Sequence, residues 1–474
     1  MTNAVNNVSK KISAAKRLAK GVAAGLASYQ RTAQDADRND AHARAWDLVP
    51  EKYRLGHQWL GTQASPCMAT YNVYEKCDFS CTACYLTNVA NQTPPLPYEE
   101  VRQQLDEIRA YAGPRAKTQI TAGEVTLLPV EDLTRIVRYA VHEAGLDPMV
   151  MTHGQTFDRD PSYLETLMVE GGLQKISVHM DITQRGRDGQ SKHATEHDVT
   201  RDVRNKFAKL IRDMRHKTGK PLVAASTYTV TEHNIDDVPH VMSWFADNCD
   251  AFRMISFQPT ADVGRTRENE HVQKRDLLWE KISEGLGLDD VNDHTFLMGH
   301  PSCNQTSLMW VVHFDGERQI MEVTRKGEHL DQRFMDELMS GAFRGFNADG
   351  CTKEEAIGRG LGMFLDSPKY FWQVPAYIAY RLFGDREWVP RFVKAVLTGK
   401  DWSIKPMIIV AHNFMSSHEL DTEEGKERLD ACAFRLPVDG RMVPMCEMNG
   451  TELRRDKNLE ATERLLRIER RRAA

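Results

Sequence analysis

Three closely spaced cysteines, Cys77, Cys81 and Cys84, set the strongest limit on what this chain can fold around. They stand as C-x3-C-x2-C within CMATYNVYEKCDFSCTACYL (residues 67–86), and Tyr85 directly follows the last sulfur. A loop with that spacing can wrap three irons of a [4Fe–4S] cube and leave the fourth iron without a protein ligand. Purely structural cubes usually close with a fourth Cys, and zinc sites prefer C-x2-C pairs joined by a longer gap. An open iron can bind a small molecule and pass an electron to it. On spacing alone, three unrelated cysteines, a zinc knuckle and a simple electron-carrying cluster remain as alternatives.

The rest of the composition fits intracellular metal chemistry. Nine cysteines, an odd number, are spread over 474 residues without a secretory signal. That argues against a disulfide framework and for a reducing compartment, so a cytoplasmic location is expected. The length suffices for more than one domain. A net charge of −5 gives no reason to expect nucleic acid as a partner. No run of 18 apolar residues suggests a transmembrane helix. The aromatic stretch 370–383 is broken by Pro375 and Arg381 and reads as a buried or amphipathic helix.

The first 34 residues hold no acid and carry Lys10, Lys11, Lys16, Arg17, Lys20 and Arg31. Ile12, Ala15, Leu18, Val22 and Leu26 recur at near-helical spacing, so this is a basic amphipathic helix. Three roles stay open for it: peripheral contact with anionic lipid, a transit peptide, or a helix packed on the domain. From residue 69 onward, strand and helix alternate. Strands are expected at 70–74, 117–121, 148–152, 175–180, 222–230 and 251–258. Helices lie between them, among them 161–169, 198–216 and 235–246. Six such units predict a parallel α/β sheet, a partial (β/α)6 barrel rather than a closed eight-stranded one. The cysteine loop then follows the first strand, at the sheet's C-terminal face.

Residues 266–306 read as a helical connection, and an α+β extension follows. Asp315-Gly316 and Asp439-Gly440 each mark a hairpin turn. Residues 334–400 read as mostly helical and are rich in Phe, Met, Tyr and Trp. The expected division is an N-terminal basic extension (1–66), the partial barrel (67–265), a capping region with a second metal site (266–450) and a charged helical tail (451–474).

The cysteine loop resembles the cluster motif of the radical S-adenosylmethionine (radical SAM) enzymes. Segments far from the cysteines resemble that superfamily too. TAGEVTLLP after the second strand is similar to its GGEP-type motif, with Ala122 and Val125 departing from the pattern. THG (152–154) stands where a T-N-G turn is usual, and the sixth strand ends in Gln258-Pro259, similar to the family's Q-P turn. The resemblance implies that the open iron chelates SAM, which is then reductively cleaved to methionine and a 5′-deoxyadenosyl radical. It also implies that the SAM-binding residues include Tyr85, Gly123, Glu124, Asp181, Thr227 (or Ser226) and Gln258. Gly123 would let the backbone approach the methionyl ammonium and Glu124 would accept from it. Asp181 would lie near the ribose and Gln258 near the adenine. No catalytic residue is assigned beyond the cluster. A low-potential donor of the flavodoxin or ferredoxin type is implied as electron source.

Four further cysteines, Cys67, Cys303, Cys432 and Cys446, resemble the layout of the group containing tetraether lipid synthase and its methylase-like relatives. They imply a second [4Fe–4S] cluster, with scattered buried thiols as the alternative. Cys249 and Cys351 have no assigned partner. Paired N-terminal cysteines for a rubredoxin-like iron are lacking, which leaves the tetraether reaction itself in doubt. The expected function is hydrogen abstraction from an unactivated C–H bond, for C–C bond formation or methylation of a lipid or pterin-like molecule. The alternative is a non-catalytic Fe–S protein for electron transfer or redox sensing. An apolar substrate tunnel is expected between the barrel mouth and residues 334–400, lined by Phe343, Phe346, Met363, Phe364, Phe371 and Trp372.

Overall fold

Five of the six expected strands form where expected, the first forms just ahead of its expected place, and after each helix the chain returns to the same sheet. The protein is represented by a computed structural model that describes residues 2–266, 275–342, 353–384 and 387–473. Strands β1 (Cys67–Ala69), β2 (Lys117–Ile120), β3 (Asp147–Thr152), β4 (Lys175–His179), β5 (Val223–Val230) and β6 (Phe252–Pro259) pair in sequence order, all parallel. The intervening helices include Tyr98–Ala112, Val130–Arg138, Pro161–Val169, Asn205–Thr218 and Val238–Asp247. Ile120, Val150, Ile176, Val178, Ile255 and Phe257 join these helices in one core. Alternate strand residues point the other way, so the inner face of the curved sheet is left for chemistry.

The first strand lies earlier than expected. Thr70 leaves the ladder, and its hydroxyl bonds the Thr121 carbonyl at 3.1 Å, while Asn72 has φ 51°. Residues 70–74 therefore form a turn into the cysteine loop instead of a strand. Residues 266–306 are less helical than expected. Among the described ones only Arg275–Leu286 is a helix of any length, and 287–303 wind irregularly to the next strand.

The C-terminal region adds to both edges of the sheet. Strands β7 (Asn304–Phe314) and β8 (Glu317–Glu322) form the first hairpin, with φ 48° at Asp315 and 81° at Gly316. Two positive φ values match the twist that a two-residue hairpin turn needs. Strand β9 (Trp402–His412), absent from the sequence reading, pairs parallel with β6 and antiparallel with β7. At the other edge β10 (Phe434–Val438) lies parallel to β1, and β11 (Arg441–Pro444) folds back on β10 through Asp439-Gly440. The full order is β11-β10-β1-β2-β3-β4-β5-β6-β9-β7-β8. The six-stranded partial barrel is thus flanked by one further parallel strand on each side.

The N-terminal helix, Thr2–Ala33, lies against Lys353–Asp366. Glycines on both helices permit a close crossing. A Cβ on Gly25 would meet the Glu355 carbonyl oxygen at 2.0 Å, and one on Gly358 the Val22 oxygen at 2.0 Å. Of the three roles left open for this helix, packing on the domain is the one seen. Its Lys16, Arg17 and Lys20 stay exposed. Among the described residues no helix is long and apolar enough to cross a membrane.

Candidate active site at the C-terminal end of the sheet

The cysteine loop is tied down by backbone bonds to later segments. Ser80 N–H donates to the Arg185 carbonyl at 2.8 Å and Thr82 N–H to that of Thr183 at 2.9 Å. Arg265 N–H donates to the Cys84 carbonyl at 2.7 Å, and its guanidinium reaches the Cys84 sulfur at 3.5 Å. Cys77, Cys81 and Cys84 all line one cavity of about 230 Å³. Burial pushes the Cys77 thiol up to about 12 and Cys81 higher still, and for Cys81 the other two cysteines add to the effect. Three thiols this close repel one another as anions, and two of them resist losing their protons, so they are stable together as thiolates only around a cation. The donor set therefore fits a metal cluster.

Cys77, Asp78 and His153 also bring one ligand atom each within 4.8 Å of one another. His153 has no lone pair to give a metal, however. Its Nδ1 accepts from Gln155 N–H at 3.0 Å, so the proton sits on Nε2 and is donated to Asp78 at 2.7 Å. That hydrogen bond, ahead of other influences, holds the Asp78 carboxyl below the usual carboxylate range. The His153 ring stacks on Phe79, with centroids 3.8 Å apart.

The AGE segment lines the cavity and is also tied into the protein's own backbone. Gly123 has φ 45°, and a Cβ there would meet the Glu75 carbonyl oxygen at 2.3 Å. The glycine thus lets the AGE turn press against the backbone leading into the cysteine loop. Glu124 lines the cavity, yet it is almost fully buried and accepts bonds from its own chain. Its donors are the Thr126 N–H (3.1 Å) and hydroxyl (2.6 Å), the Thr152 hydroxyl (2.7 Å) and His153 N–H (2.7 Å). This carboxylate joins the AGE turn to the THG turn.

Asp181 is likewise engaged inside the protein and is not among the residues lining the cavity. It accepts from Thr183 N–H (2.8 Å), Thr229 N–H (2.8 Å) and His179 Nε2 (2.7 Å). Burial works against its charge, but His179 and the other donors hold its carboxyl below the usual range. The cavity wall at this point is His179 itself, oriented by Asp181. Thr227 faces the cavity, whereas the neighbouring Ser226 turns away and donates to the Val178 carbonyl at 2.8 Å. Tyr85 and Gln258 line the cavity too. Burial raises the Tyr85 phenol to about 12, and the Arg454 guanidinium lies 4.9 Å over its ring.

The inward rows also contain residues that the sequence reading passed over. Gln119 and Thr121, Ser177 and His179, and Thr227 and Thr229 are pairs two apart on β2, β4 and β5 (or just beyond), and all line the cavity. Their signal is a polar residue at every second position with an apolar one between, Ile120, Val178 and Tyr228 respectively. The opposite wall is apolar: Phe414, Met415, Phe434 and Met445, from the segment after β9 and the β10–β11 region. No described residue of 334–400 lines this cavity, so the expected tunnel wall is not there. Instead Met363, Tyr370 and Phe364 pack with Tyr29 under the N-terminal helix, Phe371 stacks on Phe364, and Trp372 faces solvent. Phe343, Phe346 and Cys351 lie outside the described residues.

Of the four remaining candidate ligands, three gather. Burial raises the thiols of Cys432 to about 11 and Cys446 to about 12, and each is raised further by its neighbours among Cys303, Cys432 and Cys446. Backbone N–H groups point at two of the sulfurs, Phe434 to Cys432 and Met415 to Cys446, both at 3.4 Å. The buried Arg428 donates to Cys303 Sγ at 3.4 Å. Cys446 lines the same cavity as the cysteine loop. Cys67 is the outlier: burial raises its thiol to about 11, Gln119 reaches its sulfur at 3.9 Å, and Cys432 is the weakest of its influences. Cys249 is buried in the main core.

No family model matches the sequence. A 7,8-dihydro-6-hydroxymethylpterin dimethyltransferase of Methanocaldococcus jannaschii is 23% identical over 216 residues, 44% of this chain and 39% of that protein. The match therefore spans well under half of that relative's length. Among solved structures, SuiB of Streptococcus suis bound to S-adenosylmethionine is 14% identical, with a TM-score of 0.34 over 47% of this chain and 48% of that one. The methylornithine synthase PylB gives 11% identity and a TM-score of 0.32 over 54% and 77% of the two chains. The cysteine motif Cys77, Cys81 and Cys84 resembles that of the radical SAM enzymes.

Proposed function

We propose that this chain is a radical SAM enzyme in which Cys77, Cys81 and Cys84 hold a [4Fe–4S] cluster and S-adenosylmethionine occupies the adjoining cavity. One observation carries the reading: three half-buried thiols converge on a cavity at the C-terminal end of a parallel sheet whose inner rows are polar. When bound, such a cluster supplies the electron that splits SAM into methionine and a 5′-deoxyadenosyl radical. The chain's own residues then have to position and shield. Thr227, Thr229, Gln119 and Gln258 offer hydrogen bonds to the sugar, base and methionine groups. Tyr85, Phe414, Phe434 and Met445 exclude water above them. Glu124 and Asp181 act one step back, by fixing His153 and His179.

The substrate class follows from the mixed wall, polar on the strands and apolar across from them. It suits a molecule with a hydrogen-bonding head and an unactivated C–H bond, pterin-like or lipid, undergoing methylation or C–C bond formation. The pterin methylation named for the M. jannaschii relative favours the first. Cys303, Cys432 and Cys446 are proposed to hold a second [4Fe–4S] cluster, with Cys67 the candidate fourth ligand. A flavodoxin- or ferredoxin-type donor is proposed as reductant, and the N-terminal helix offers basic side chains for peripheral contact with anionic lipid.

The reading is tested by electron paramagnetic resonance of the anaerobically reconstituted, reduced protein. Added SAM is expected to shift the g values of one cluster signal, because it ligates the open iron. A cluster spectrum that SAM leaves unchanged would refute the proposed site.

A further inference from the structure

The charged tail is not exposed all round. Helix Leu453–Ala473 turns Arg455, Glu460, Glu463, Arg464 and Arg467 to solvent, yet Arg454, Asn458 and Ala461 are buried. Spacings of four and three residues put these three on one face. That face grips the cysteine loop at both its ends. Asn458 donates to the Thr87 hydroxyl at 2.8 Å, three residues after Cys84. Arg454 Nη1 donates to the Glu75 carboxylate at 2.8 Å, two residues before Cys77. Arg454 is 2% exposed and Glu75 is 0% exposed. The second carboxylate oxygen of Glu75 is buried without a hydrogen-bond partner among the described residues, so Arg454 is its counter-charge.

Arg454 makes two further contacts. Its Nε donates to Asn449 Oδ1 at 2.9 Å, and its guanidinium carbon lies 4.9 Å from the centre of the Tyr85 ring. Asn449 and Tyr85 both line the cavity, whereas Arg454 does not. One side chain behind the wall therefore holds two residues of the wall. Asn449 belongs to helix Met445–Gly450, which also carries Cys446, so Arg454 ties that helix to the cysteine loop. A buried ion pair gains little over apolar residues of the same size, because both charges lose their water. Its value here is placement. We infer that Arg454 is a positioning residue for SAM, which fixes the Tyr85 ring and the entry to the cysteine loop from behind the cavity wall. The inference rests on SAM occupying that cavity. A planar, always-charged guanidinium stacked on a ring restricts how the ring can turn. The aromatic wall is then set before the ligand arrives, and less order has to be imposed on binding.

The test is a SAM titration of the anaerobically reconstituted, reduced full-length protein, read by the g values of its cluster signal. Urea unfolding of the metal-free protein runs beside it. Glu75→Met with Arg454→Met removes both buried charges together, so its unfolding midpoint and iron content should match wild type. Its dissociation constant for SAM should nevertheless rise at least about tenfold. Arg454→Lys keeps a charge beside Glu75, but an ammonium does not both reach Asn449 and lie flat on the ring. Its affinity for SAM should fall severalfold. Wild-type affinity in either variant would overturn this inference alone. So would weak binding in the double variant that comes with a lowered midpoint and lost iron, which would make the pair merely structural. A wild-type spectrum that SAM leaves unchanged would overturn the cavity reading and this inference together.

Discussion

Alanine at Cys77, Cys81 and Cys84 together is expected to remove one of two clusters and all SAM cleavage. After anaerobic reconstitution the wild-type chain should hold about eight irons, and this triple variant about four. Cys432→Ala with Cys446→Ala should give the complementary result: about four irons, with SAM cleavage retained when dithionite is the reductant. The prediction rests on the separation of the two thiol groups. Cys77, Cys81 and Cys84 sit on one loop after β1, while burial raises Cys432 and Cys446 and nearby Cys303 adds to both. Iron falling to zero in the triple variant would remove the second cluster from the account. Eight irons in the Cys432/Cys446 variant would do the same. Cys67→Ala then asks whether the outlying thiol belongs, and loss of iron in that variant would make it the fourth ligand.

The second large effect is expected at Glu124. Its carboxylate accepts from four donors of the chain itself, and all of this lies below the surface. Glu124→Gln turns one acceptor oxygen into an amide donor that faces other donors. A buried donor left unpaired costs about 1–3 kcal/mol, and bonds to a charged acceptor are at the upper end, so a loss near 3 kcal/mol is expected. Urea unfolding of the metal-free protein reads it as a lower midpoint, without any ligand present. SAM binding should weaken as well, because the THG turn loses its anchor. A variant with the wild-type midpoint and weakened SAM binding would mean that the carboxylate is reserved for the ligand, contrary to this account.

Much of this architecture is written in strand periodicity. The alternation of short strands with helices located β2 to β6 to within a residue or two, since each strand feeds a helix with its own apolar stripe. Where the reading failed, a specific contact outweighed the pattern. Strand β9, absent from the sequence reading, carries Pro406, a residue that argues against a central strand. In the sheet, β6 pairs only with Ile408 to Ala411, so the missing N–H of Pro406 falls beyond that ladder. The hydroxyl of Thr70 and the positive φ of Asn72 turned an apparent strand into a bend.

The site was legible in its cysteines and less so in its carboxylates. Cys77, Cys81 and Cys84 are constrained by spacing within one loop, which sequence records directly. The family resemblance assigns Glu124 and Asp181 to the ligand, but a motif does not say which donors surround a carboxylate. Asp181 sits two residues after inward-facing His179, and the chain has left the sheet by then, so its carboxylate turns back on the histidine. The aromatic wealth of 334–400 was equally ambiguous. Hydrophobicity alone does not distinguish a tunnel wall from a face that looks outward, and Trp372 looks outward.

The central claim is reductive cleavage of SAM at the cysteine loop, and the most direct measurement is product formation by the reconstituted wild-type protein. Incubated anaerobically with SAM and dithionite, the enzyme should yield 5′-deoxyadenosine and methionine in equal amounts, above the background of the Cys77/Cys81/Cys84 variant. Protein that holds its full iron content yet forms no more 5′-deoxyadenosine than that variant would contradict the account.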